Sequence, residues 1–169
     1  MRQDAYQDHR SCPGCHSSDA QGSFGFPNLT DNDWLWGGEP EQILTTLRPG
    51  RQATMAAWLP VIGEDGVRAT AAYVRSLSGL ETEGADLERG KQIFATNCVA
   101  CHGPEGKGNH LLGAPNLTDD VWLYGSSTMQ VEHTISAGRN GNMPSQAHLG
   151  DDKLHMLAAY VYSLSLEDK

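Results

Sequence analysis

Cys12-Pro13-Gly14-Cys15-His16 and Cys98-Val99-Ala100-Cys101-His102 decide how this 169-residue chain is read. Between them they hold all four cysteines, and in each the second cysteine is followed directly by a histidine. Each also opens a longer repetition. The pairs lie 86 residues apart; beyond them Pro27-Asn28-Leu29-Thr30-Asp31 returns 88 residues later as Pro115-Asn116-Leu117-Thr118-Asp119. Trp34-Leu35 returns as Trp122-Leu123, Gly50-Arg51 as Gly138-Arg139, and Met55 as Met143. Ala71-Ala72-Tyr73-Val74 then returns as Ala158-Ala159-Tyr160-Val161 at an offset of 87. The offset changes only where loops are expected, which is the signature of a duplicated unit of roughly 80 residues. Residues 1–80 and 81–169 read as two tandem domains, with an exposed linker at about 79–86 carrying Gly79, Glu81, Glu83, Gly84 and Asp86.

Each repeat predicts helices. Val67, Ala71, Val74 and Leu77 recur at helical spacing, as do Leu154, Leu157, Val161 and Leu164. Leu87 to Asn97 forms a helix running into the second cysteine pair; Glu41 to Leu47 and Met129 to Ala137 form shorter ones. Glu64-Asp65 and Asp151-Asp152 suit the positive N-terminal ends of the last helices. No sustained alternation predicts a strand, so the fold class is all-α. Only 38% of residues are hydrophobic and mean hydropathy is −0.46, lean for a packed core. Such small, loop-rich units need another source of apolar interior. A net charge of −9 argues against nucleic acid or an anionic membrane as partner. No apolar run is long enough to span a bilayer, and no secretion signal is visible.

C-x-x-C-H is the attachment signature of c-type haem. The cysteines form thioethers with the haem vinyl groups, and the histidine ligates the iron. Disulfides or a thioredoxin-like pair are the alternatives, but neither accounts for the histidines, and no βαβ context is present. Two covalent haems, one per domain, would also supply the missing apolar core. Of Met1, Met55, Met129, Met143 and Met156, only Met55 and Met143 occupy matching positions, each four residues after a Gly-Arg pair. They are the candidate second axial ligands; Met129 and Met156 read as helix-face packing. His148, five residues after Met143 in the same loop, is the most credible rival, although it, like His110, His133 and His155, has no histidine at the matching position of the first repeat, and His9, three residues before Cys12, stays on the proximal side. Filling both axial positions favours outer-sphere electron transfer over substrate chemistry. Pro27 and Pro115 are placed to accept the proximal histidine N–H. Asn28 and Asn116 suit a loop cap or a propionate contact, Trp34 and Trp122 a haem-pocket wall, and Arg51 and Arg139 a propionate ion pair.

Each half resembles a class I cytochrome c domain. The Pro-Asn-Leu-Thr-Asp block, the following Trp34-Leu35-Trp36-Gly37-Gly38 or Trp122-Leu123-Tyr124-Gly125, and the Gly-Arg and Met in that order resemble the dihaem subunit of cbb3-type cytochrome c oxidases, CcoP or FixP. That resemblance implies Cys12, Cys15, His16 and Met55 for one haem, and Cys98, Cys101, His102 and Met143 for the other. It implies a non-enzymatic relay passing electrons from a soluble donor cytochrome towards the oxidase catalytic subunits, in the periplasm, with a native N-terminal membrane anchor outside this stretch. A free dihaem cytochrome resembling the c4 type and a CO-, NO- or oxygen-responsive sensor are the other readings; a dihaem peroxidase fits poorly. Three departures stand out. No anchor precedes Cys12; Asp4 and Asp8 stand where Gly90 and Phe94 stand; and Met143 precedes Pro144, whereas Met55 precedes Ala56. The missing proline predicts a looser Met55 loop and a weaker iron–sulfur bond at the first haem.

Overall fold

The structure, a computed structural model, describes residues 11–82 and 84–166. In chain order they form α1 (Ser11–His16), α2 (Pro40–Leu47), β1 (Arg51–Met55), α3 (Leu59–Leu77), α4 (Leu87–Asn97), α5 (Val99–His102), α6 (Thr128–Ala137), β2 (Arg139–Met143), a 3-10 turn (Ala147–Leu149) and α7 (Asp151–Leu164). The departure of Asp4 and Asp8 from the second repeat lies outside the described residues.

The helix ends follow from local chemistry. Asp86 caps α4, its Oδ1 accepting the Arg89 N–H at 3.0 Å. Ser127 and Gln130 form a capping box at the start of α6, with each side chain serving the other residue's backbone N–H. The first turn of α3 is set off from the rest at Gly63, whose φ of 66° and ψ of 174° are not helical. Gly150, with φ 80° and ψ 156°, separates the 3-10 turn from α7 at the matching point of the second repeat.

Two short strands depart from the sequence reading. β1 and β2 pair in a two-stranded ladder. Arg51-Gln52-Ala53-Thr54-Met55 and Arg139-Asn140-Gly141-Asn142-Met143 lack the apolar alternation that announces a half-buried strand, so both read as loops.

The larger departure concerns which segments pack together. The chain divides into two compact units: unit 1 joins the residues up to Gln52 with those from Gly141 onward, and unit 2 is Ala53–Asn140. These are not the repeats 1–80 and 81–169. Unit 1 packs α2 on α7, and unit 2 packs α3 on both α4 and α6. The reason is local. Residues 78–86 join α3 to α4 directly, and helices joined by a short loop pack on each other as a hairpin. Gly90 seals that hairpin: a Cβ there would collide with the Ala69 carbonyl oxygen and come within 2.7 Å of the Tyr73 Cβ. Each unit therefore takes its cysteine pair from one repeat, and its methionine and final helix from the other.

The unit 1 core is Ala20, Ile43, Leu44, Leu47, Leu154, Leu157, Ala158 and Val161, with Cys12, Trp34 and Met143 packed against it. The unit 2 core is Val67, Ala71, Val74, Phe94, Val131 and Ile135, with Met55, Cys98 and Trp122 against it.

Candidate functional site

In unit 1, α1 carries Cys12, Cys15 and His16, and the chain then folds back beneath the histidine. The Gly22 N–H donates to the His16 carbonyl at 2.9 Å, and the Leu29 N–H to the Ala20 carbonyl at 2.8 Å. This places the Pro27 carbonyl oxygen 2.9 Å from His16 Nδ1. A carbonyl only accepts, so Nδ1 is the donor, which leaves Nε2 as the ring nitrogen that could take a metal. Asn28 Oδ1 accepts the Thr30 N–H at 2.9 Å and the Thr30 hydroxyl at 2.8 Å, holding the turn that follows Pro27. Of the two roles expected of Asn28, the structure displays the loop cap.

Unit 2 repeats the construction. The Gly108 N–H meets the His102 carbonyl at 2.9 Å, and the Leu117 N–H meets the Gly106 carbonyl at 2.7 Å. His102 Nδ1 lies 3.1 Å from the Pro115 carbonyl oxygen. Asn116 Oδ1 accepts from the Thr118 N–H at 3.0 Å and from its hydroxyl at 2.8 Å. Burial pushes the His102 imidazole below its usual pKa, with the Pro115 carbonyl acting only partly against it, so the ring is neutral and able to bind a metal. Burial, with Cys101 beside it, pushes the Cys98 thiol up to about 11. None of the four cysteines forms a disulfide, so the disulfide alternative finds no support in the structure.

The methionines arrive crosswise. Met143 packs in the core that holds Cys12 and Trp34, and Met55 in the core that holds Cys98 and Trp122. The glycines of the repeated Gly-Arg pair show how. Gly50, at φ 78°, runs so close to Met143 that a Cβ would strike the Met143 carbonyl oxygen; Gly138, at φ 71°, meets the Met55 carbonyl oxygen in the same way. A positive φ and no room for a side chain together require glycine at both positions. The partition of Met55 with His16 and Met143 with His102, implied by reading the repeats as separate domains, is not the one the packing displays. The looser loop expected at Met55 accordingly belongs to the core of His102.

The arginines rest on aromatic faces. The Arg51 guanidinium lies 4.6 Å from the Trp36 ring centre, and Arg51 Nε donates to Thr46 Oγ1 at 3.0 Å. Arg139 lies 4.2 Å from the Tyr124 ring centre and donates to Thr134 Oγ1 from Nε and Nη2 at 3.0 and 2.7 Å. These partners escape the sequence reading, although Trp36 and Tyr124, like Thr46 and Thr134, recur at the 88-residue offset. The described rival ligands stand apart: His110, His133, His148 and His155 are all exposed. Met129 is 79% exposed and Met156 is 50%, so neither does the packing that its helical position predicts. Met1 and His9 lie outside the described residues.

Each core thus gathers a cysteine of a closely spaced pair and a thioether, and the histidine that closes each pair turns its Nδ1 to a proline carbonyl. Thiols to bond vinyl groups, with imidazole and thioether to ligate iron, are the donor set of haem c.

A protein-family profile described as "Cytochrome C oxidase, cbb3-type, subunit III" matches residues 3–74 and 85–161. The chain belongs to this family. It is 48% identical over 166 residues to the cbb3-type cytochrome c oxidase subunit FixP of Bradyrhizobium diazoefficiens, covering 91% of this chain and 57% of the relative. It is 45% identical over 157 residues to subunit CcoP of Rubrivivax gelatinosus, covering 92% of this chain and 51% of the relative. With CcoP of Cereibacter sphaeroides identity is 40% over 166 residues, covering 91% and 57%. The chain thus spans little more than half the length of these curated relatives. Membership in a family of c-type cytochromes implies haem c, which the donor sets fit. Among the described residues, no helix is long and apolar enough to cross a membrane.

Proposed function

We propose that this chain is the haem-bearing electron relay of a cbb3-type oxidase subunit III. It holds two haem c groups, one per compact unit, and takes electrons from a soluble donor cytochrome towards the oxidase catalytic subunits on the periplasmic side. The observation that carries the reading is the pairing, in each core, of a C-x-x-C-H segment with a methionine from the other repeat. Cys12 and Cys15 would tether one haem, with His16 and Met143 as axial ligands. Cys98 and Cys101 would tether the other, with His102 and Met55. When bound, each haem supplies one reversible iron oxidation, at a potential that His/Met ligation raises.

The chain's own residues fix the rest. The Pro27 and Pro115 carbonyls hold each imidazole in one tautomer and make it more basic. Trp34 and Trp122 line the two cores, and the stacked arginines place a cation beside the strand that ends in each methionine. With both axial positions filled by protein, no substrate position remains, so the chain relays electrons and the oxidase chemistry belongs to other subunits.

The test is a redox titration with and without CO. In the parent, two low-spin haems that ignore CO support the relay, and CO binding to one moves the reading to a gas-responsive haem. In a single-haem variant with Cys12, Cys15 and His16 replaced, Met55→Ala should make the remaining haem high-spin and open to CO, while Met143→Ala should not. The opposite result would restore the pairing within each repeat.

A further inference from the structure

Thr70 is the one polar member of the buried stripe of α3. Val67, Thr70, Ala71 and Val74 follow at intervals of three, one and three residues, which puts them on one helix face. Val67, Ala71 and Val74 belong to the core that receives Met55, Cys98 and Trp122. Thr70 is only 1% exposed, and its Oγ1 has no hydrogen-bond partner among the described residues. A buried threonine on a helix usually bonds back to the carbonyl four residues earlier, here Gly66, but that bond is not made.

The fold does not require a hydroxyl at this point. The matching residue of α7 is Leu157, also 1% exposed, in the core that receives Met143, Cys12 and Trp34. The same scaffold thus closes on leucine in unit 1 and on an unpartnered hydroxyl in unit 2. A buried polar group without a partner destabilises a protein, so its presence in one unit needs a compensating role.

We propose that Thr70 tunes the haem of unit 2, its hydroxyl lowering that haem's reduction potential relative to the leucine-lined site of unit 1. This rests on reading the unit 2 core as a haem site. The oxidised haem carries one more positive charge than the reduced haem. A hydroxyl without a fixed partner can swing its hydrogen away and present the negative end of its dipole to that charge, whereas a leucine cannot respond. Thr70 is a positioning residue for charge: it neither ligates the iron nor tethers the haem.

The experiment uses the holoprotein. Thr70→Val keeps the shape and removes the oxygen; Thr70→Ser restores it; Leu157→Thr introduces it in unit 1. Thr70→Val should favour reduction of one haem by roughly fivefold, leave the other unchanged, and raise the thermal midpoint more in the reduced protein than in the oxidised. Thr70→Ser should return that haem to the parent value, and Leu157→Thr should shift the other haem in the opposite direction. An unmoved pair of potentials in Thr70→Val, or a shift toward the oxidised form, overturns the proposal. Mass analysis of the parent peptide carrying Cys98 to His102 separates the two readings. A peptide without covalent haem sinks the haem site itself, and with haem attached an unmoved potential sinks only the role of Thr70.

Discussion

Helices α3 and α7 descend from one ancestral segment but are dressed differently. Their inner stripes match: Val67, Ala71 and Val74 against Leu154, Ala158 and Val161, all buried. Their outer faces do not. In unit 2, Gly66, Ala69 and Ala72 are buried, and Gly90 of α4 closes on Ala69 and Tyr73. In unit 1, the matching Lys153, Met156 and Ala159 are exposed. The side of the helix that faces the core is therefore alike in the two units, and the opposite side differs.

The sharpest way to break this comparison is to overfill the hairpin. Gly90→Leu should destabilise the protein by about 3 kcal/mol in chemical denaturation, because backbone and Tyr73 stand where the side chain must go. Met156→Ala, at the matching exposed face, should stay within about 0.5 kcal/mol of the parent. Equal losses would mean the two faces are equally covered.

The methionine loops should differ next. Beyond Met143, the Ser145 hydroxyl donates to the Arg48 carbonyl at 2.5 Å and accepts the Ala147 N–H at 3.2 Å, and Gln146 Nε2 reaches the Pro144 carbonyl at 3.0 Å. Beyond Met55, Ala56 and Ala57 have no side chain able to form such anchors. Both loops keep one backbone tie, from the Gln146 N–H to the Leu47 carbonyl at 2.8 Å and from the Trp58 N–H to the Ile135 carbonyl at 2.9 Å. Ser145→Ala should cost about 1 kcal/mol of stability and make the haem of unit 1 easier for CO to attack. Ala56→Pro, copying Pro144, should stabilise by about 0.5 kcal/mol and slow CO binding at the haem of unit 2. CO kinetics resolved by haem would check both.

Helix caps give a finer contrast. Ser127 caps α6 with its own hydroxyl, so Ser127→Ala should lower stability by about 1 kcal/mol. The smallest effect belongs to the ion pair of Arg48 and Asp151, 3.1 Å apart and well exposed, which occurs in unit 1 alone. The second repeat has Ser136 in place of Arg48, and the first has Glu64 in place of Asp151. Asp151→Asn should cost less than about 0.5 kcal/mol, and added salt should erase the difference.

Much of this was legible beforehand. The cysteine pairs name the chemistry, and matched position separates Met55 and Met143 from three other methionines. Helical spacing marks α4 over the same residues that are observed. The pairing was not legible, because duplication makes the two assignments identical residue for residue. What separates them is the hairpin of α3 and α4, which depends on Gly90 lying against Ala69 and on a linker short enough to turn back. The strands were hidden because their polar residues carry no alternation. The arginine sites were hidden because an aromatic ring beneath a guanidinium shows in sequence only as two distant residues.

The division of the chain at Gln52 and Asn140 also nests one unit inside the other along the sequence. Unit 2 is one uninterrupted run in which methionine and closing helix precede opening helix and cysteine pair, a circular permutation of the repeat. That run needs no residue outside Ala53–Asn140 to bring its cysteine pair and its methionine together. The segment up to Gln52, with the earlier cysteine pair, precedes that run but takes its methionine and closing helix, Met143 and α7, from beyond it. The core that opens the chain is thus completed only by the segment that closes it.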